Sequence, residues 1–186
     1  PLTGHYFDFV VSKIGFGILK DEKVDVTTLH VNAKKYWKLS DRLYFASSAK
    51  LKASNASFQP YSVIKGFGFS TYVRGYAHHV IDGYNYALGK AGFKYEFIKP
   101  KKRKVPLIKM EQFNKLYYAA YLRLFTDFGY IDNKYRQDHN DFTNQFLYGS
   151  GIGLDVITYY DWVFRAEYAI NKSAQHGLFL HLTAPI

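Results

Sequence analysis

Cysteine is absent from the chain, so neither a disulfide framework nor a thiolate metal site is available. Long apolar runs are missing as well. No stretch approaches the roughly 20 residues that a membrane-crossing helix needs, so any membrane role must be carried by strands. Helical periodicity is nearly absent. The chain opens Pro1-Leu2-Thr3-Gly4, without an initiator Met or a charged-then-apolar leader, and reads as a processed product or a piece of something longer. There is no nucleophile elbow, phosphate-cradling loop or paired catalytic motif, so neither an enzyme nor a cofactor is expected. His78 and His79 with Asp82 form a poor metal set: adjacent histidines on an extended segment point to opposite sides, and no partner stands at a fixed spacing.

Aromatic residues are abundant, with 18 Tyr, 16 Phe and 2 Trp in 186 residues, and the formal charge is +10. That composition supports a folded domain rather than disorder. Period-two alternation recurs in segments of about ten residues, giving about eight strands and an all-β, antiparallel fold. The clearest is 85–98, with Ala91, Phe93, Tyr95 and Phe97 on one face and Lys90, Gly92, Lys94 and Glu96 on the other. In 24–39, Leu29, Val31, Ala33 and Trp37 oppose His30, Asn32, Lys34 and Tyr36. In 43–54, Leu43, Phe45, Ala49 and Leu51 oppose Tyr44, Ser48, Lys50 and Lys52. Leu122, Leu124 and Phe128 of 116–130 oppose Tyr121, Arg123 and Asp127. In 146–160 the polar side is Gly149, Gly151, Gly153 and Asp155, an interior without bulk that a loop could approach. The segments 4–17, 163–170 and 176–184 complete the set, with Phe164, Ala166, Tyr168 and Ile170 opposite Arg165 and Glu167 in the seventh.

The same alternation fits a soluble, basic β-sandwich that buries its apolar face. Three features favour strands in a membrane: charged residues at mid-strand, aromatics crowded at strand ends, and short links such as Ser40-Asp41-Arg42 alternating with longer ones at 55–84 and 131–145. Nucleic acid is not expected as a partner, because the positive charge is scattered through strand faces rather than gathered in one exposed patch. Its one concentration is the link at Lys99, Lys101, Lys102, Arg103 and Lys104, a candidate contact for anionic lipid headgroups.

Within the loop at about 55–84 stands Val73-Arg74-Gly75-Tyr76, and two strands follow that carry Glu96 and then Phe125-Thr126-Asp127-Phe128-Gly129. With the Gly-rich strand after them, this order resembles the end of the outer-membrane assembly barrels of the BamA/TamA family. The resemblance is good over about 65–186 and looser over 4–64. It implies that the loop enters a barrel lumen and that Arg74 meets inward-facing acids at Glu96 and Asp127. An arginine fork can bridge two carboxylates, and both acids lie on the polar side of neighbouring strands. The last strand, with Gly177, Leu178, Leu180 and Leu182, resembles the family's terminal assembly signal, although it ends Thr183-Ala184-Pro185-Ile186 without the usual aromatic.

A barrel of about eight strands is filled by its own side chains and cannot also hold such a loop. The complete barrel is therefore expected to be larger, and the resemblance implies roughly sixteen transmembrane strands, of which 1–186 would be the C-terminal half, the remainder preceding Pro1. The resemblance implies a bacterial outer-membrane protein that assists insertion, assembly or export of client outer-membrane proteins by strand templating at a lateral seam. Its partners would be outer-membrane lipids, clients and accessory periplasmic or lipoprotein subunits. The alternative is a barrel serving as membrane anchor or as conduit for lipid transport or an upstream lipid-hydrolysing domain.

Overall fold

The computed structural model describes residues 2–15, 24–55, 64–68, 70–104, 115–133, 141–158 and 162–183. They form a single antiparallel sheet whose strands lie side by side in chain order. These are β1 (Gly4–Ile14), β2 (Val26–Lys38), β3 (Leu43–Ser54), β4 (Asn85–Lys104), β5 (Lys115–Asp132), β6 (Phe146–Ile157), β7 (Val163–Asn171) and β8 (His176–Thr183). Among the described residues there is no helix, and β1 and β8 have no strand beyond them, so the sheet is open.

Side chains alternate between the faces, so cross-strand partners form rows, and the rows explain the faces. One row runs Trp37, Phe45, Phe93, Leu124, Ile152, Tyr168 and Leu178, from β2 to β8. Most of it is exposed, as are Leu122, Leu154, Leu180 and Leu182 on the same side. Opposite lies the polar face, where Asp127, Asp155 and Glu167 are buried. The sheet is thus inverted relative to a soluble β-protein: apolar side chains face outward while charges are covered.

The polar face is covered by the segment between β3 and β4. Phe67, Val73, Tyr76 and Ile81 from this segment pack on Leu88, Ile131 and Leu147 of β4, β5 and β6. Short bridges, Phe67 to Ile81 and Gly68 to Thr71, fold the segment on itself. Lys52 of β3 donates to the carbonyl oxygens of Lys65 and Gly83, tying down both ends. The apolar residues of the loop therefore have a core of their own, on the side of the sheet where charges otherwise dominate.

One expectation needs correction. Residues 99–104 are not a short link, since β4 continues to Lys104 and pairs Lys101, Lys102, Arg103 and Lys104 with Tyr118, Tyr117, Leu116 and Lys115 of β5. Pro100 is tolerated because it falls in a register shift between Ile98 and Lys101, where the ladder is already interrupted. Pairing of β3 with β4 ends at Tyr95 and that of β6 with β5 at Ala119, so the β4–β5 pair projects past its neighbours as a two-stranded ribbon. Lys99, Lys101 and Lys102 are exposed on it. The first strand stops at Ile14 and the sixth at Ile157, short of the expected 17 and 160; residues 16–17 and 159–160 lie outside the described residues.

Candidate functional site

Asp127 is the centre of the site. It is fully buried on the polar side of β5 and accepts three hydrogen bonds from Arg74: from the backbone N at 3.0 Å, from Nε at 2.9 Å and from Nη2 at 2.5 Å. Lys90, its cross-strand partner on β4, places Nζ 3.4 Å from the same carboxylate. The guanidinium also lies 3.7 Å from the centroid of the Phe125 ring, which supports it from below. A bidentate fork with an added backbone donor fixes the loop in position and orientation at once.

Phe125 belongs to a row of otherwise small residues, Ala46, Gly92, Phe125, Gly151, Ala169 and Gly177. That row is the recess that admits the arginine. At Gly149, one position along β6, an added Cβ would overlap the carbonyl oxygen of Arg74, so only glycine permits this approach. Gly75 follows with φ of 93°, the left-handed region that favours glycine, and a Cβ there would crowd Asn171. Asn171 completes the clamp: its Nδ2 donates to Gly75 O at 3.2 Å, while its Oδ1 accepts from the N–H of Ser173 and of Gln175. One side chain thus shapes the β7–β8 turn and holds the loop.

The second acid that meets Arg74 is Glu167 of β7, 3.5 Å from Nη1, and not Glu96. Glu96 is buried elsewhere, accepting from the Tyr121 hydroxyl at 3.5 Å. The register explains the difference. Glu96 lies opposite Tyr121 and Asp127 opposite Lys90, so the two acids are six positions apart along the ladder, about 20 Å. Glu167 also accepts from Arg123 Nη1 at 2.8 Å, and Asp155 accepts from Arg165 Nε at 2.8 Å and lies 3.3 Å from Lys94 Nζ. The result is one continuous charged network from β4 to β7, with the loop arginine plugged into it.

Among the expected site residues, Val73, Arg74, Gly75, Tyr76, Phe125, Asp127 and Gly129 come together here. Val73 and Phe67 sit where a Cβ on Gly129 would fall, and Tyr76 packs edge-on to Phe142. Gly177, Leu178, Leu180 and Leu182 lie on β8, away from the network. His78 stacks against Phe179 and His79 against Phe142; among the described residues no three metal-ligating side chains are grouped. Glu167, Asn171 and Lys90 were missed as partners of the loop. Parity places all three on the polar side, but only the register brings them to Arg74.

No family model matches the chain, and comparison with curated proteins and with solved structures gave no match either.

This geometry makes three predictions. Arg74→Ala leaves Asp127 buried with a single cation and is expected to cost about 3–5 kcal/mol. In double-mutant cycles of unfolding, Arg74 should couple to Asp127 and to Glu167 by roughly 0.5–3 kcal/mol, while Arg74 with Glu96 should be additive. Gly149→Ala should lower stability by about 1–3 kcal/mol and open the loop to protease, because Cβ and the Arg74 carbonyl cannot share the space. Gly89→Ala, where a Cβ meets nothing within 4 Å, is the matched control and should not destabilise.

Proposed function

We propose that this chain forms part of a closed, lipid-embedded β-barrel in a bacterial outer membrane, and that the barrel assists insertion or export of other outer-membrane proteins. The inverted sheet carries the first half of this reading. Leaving a large apolar side chain in water forgoes about 1.5–3 kcal/mol, and here such residues form an unbroken exposed row from β4 to β8. Acyl chains remove that penalty, and a wet interior suits the mid-strand charges. The open edges at β1 and β8 call for further strands, since lipid cannot satisfy unpaired backbone groups.

The assembly role rests on the resemblance to the BamA/TamA barrels together with the loop held by Arg74 and Asp127. In this mechanism β8 forms one side of a seam that opens, and an incoming strand adds to its edge by backbone hydrogen bonding. Leu178, Leu180 and Leu182 project outward on β8, with Gly177 at its start. The loop network braces β5, β6 and β7, so that motion at the seam leaves the neighbouring wall intact. No covalent chemistry is needed. Outer-membrane lipids, client proteins and accessory periplasmic or lipoprotein subunits are the partners of this reading, and the projecting β4–β5 ribbon offers its lysines to anionic headgroups.

Refolded into lipid vesicles with the strands that complete the barrel, the protein is expected to run differently on gels before and after boiling. It should also speed folding of a urea-unfolded outer-membrane barrel protein into the same vesicles, with a photo-crosslinker at Leu180 capturing that client. Vesicles that fold the client no faster than empty ones, with no adduct at β8, would remove the assembly role. A position on the gel that boiling leaves unchanged would remove the barrel.

A further inference from the structure

A cavity of about 440 Å³ remains on the polar face beside the Arg74 loop, in the size range of small-molecule sites. Its floor is Ala46 and Gly92, the small residues at the β3–β4 end of the recess row. One wall is Lys34, Ser48 and Lys90, which lie directly across from one another on β2, β3 and β4. The opposite wall is Tyr44, Lys94 and Arg123, the corresponding row four residues along. Tyr36 closes one side, and Tyr72 and Arg74 of the loop contribute to the lining.

The charges around this space do not balance. Among the described residues Lys34, Arg74, Lys90, Lys94, Arg123 and Arg165 line it, against Asp155 and Glu167. Asp127 adds a third negative charge from behind and is already occupied by Arg74 and Lys90. The guanidinium forks of Arg74, Arg123 and Arg165 are turned to these acids. Among the described residues Lys34 pairs with no carboxylate; its recorded partner is the Tyr6 ring, 5.2 Å from Nζ. Lys90 and Lys94 each rest partly on a tyrosine ring, Tyr72 at 4.7 Å and Tyr121 at 4.4 Å, with a single acid apiece.

We propose that this cavity binds a phosphate group carrying close to two negative charges. Lys34, Lys90 and Lys94 line the space above a floor without side-chain bulk and give a phosphate its point-charge donors, and the hydroxyls of Ser48, Tyr36, Tyr44 and Tyr72 add neutral ones. Phosphate monoesters carry about −1.5 to −2 near neutral pH, which offsets most of the surplus. The site uses the polar face alone, so it stands apart from the assembly role and from whatever meets β8. A soluble phosphate ester and the headgroup of an anionic phospholipid present the same chemistry.

The test is calorimetric titration of the folded protein in micelles of a zwitterionic detergent at fixed ionic strength. The probes are inorganic phosphate, glycerol 3-phosphate, and phosphatidic acid mixed into the micelles, with chloride as reference. Saturable binding of any of the phosphate probes is expected, weakened roughly tenfold by Lys34→Gln. Among the described residues Lys34→Gln breaks no ion pair, so loss of folding does not obscure the result, and Lys172→Gln, exposed on the β7–β8 turn, should bind like the unaltered protein. Binding of glycerol 3-phosphate assigns a soluble ester, and binding of phosphatidic acid alone assigns a headgroup. If all three probes match chloride, or if Lys34→Gln binds as tightly as Lys172→Gln and the unaltered protein, the site is refuted. Failure of client folding with phosphate binding intact would count against the assembly role only.

Discussion

Everything on the polar side of this sheet is arranged around one carboxylate that has no access to solvent. Arg74 brings three donors to the Asp127 carboxylate, and Lys90 brings a second positive charge. Removing a charge from water is expensive, and the cost is recovered only when geometry and hydrogen bonding are complete. That requirement makes the loop part of the wall. The glycines at 149 and 75, the small row beneath the guanidinium and the Asn171 clamp all serve the close approach that completes the ion pair. The apolar cluster of Phe67, Val73, Tyr76 and Ile81 then seals the same loop from the other end of the face.

The inverted sheet and the buried network are two consequences of one pattern. Strict alternation puts Leu122 and Leu124 outside and Tyr121, Arg123 and Asp127 inside on a single strand. Turned over, this sheet would resemble an ordinary soluble protein. As it stands, charges are satisfied by each other and by the loop, and the apolar belt is left for another apolar medium. The surplus of positive charge beside Arg74 has the same origin: the acids are placed to hold the loop, and Lys34 next to them pairs with no carboxylate among the described residues.

Strand positions and face assignments were legible in the sequence because period two is a local property. Eight strands and the polar side of most of them could be read from spacing, and Arg74 with Asp127 as partners from the resemblance that the motifs carry. What could not be read was register. Glu96 and Glu167 both have the right parity, and the choice between them depends on how far each hairpin slides, which turns and bulges decide rather than residue type. The extension of β4 was hidden for a similar reason. Lys-Pro-Lys-Lys-Arg-Lys has the composition of a turn, and becomes strand because β5 begins early enough to pair with it. Asn171 was invisible as a loop clamp because its partner is a backbone carbonyl 96 residues away.

The most direct test of the account asks which face of the sheet meets lipid. With Trp37 and Trp162 replaced by phenylalanine, single tryptophans at Leu122→Trp and Tyr121→Trp place the probe on opposite faces at adjacent positions, 46% and 3% exposed in the present structure. In vesicles of lipids brominated along their acyl chains, fluorescence at 122 should be strongly quenched and fluorescence at 121 nearly untouched. Equal quenching at both positions, or none at either because the protein stays in the aqueous phase, would contradict a lipid-facing apolar surface.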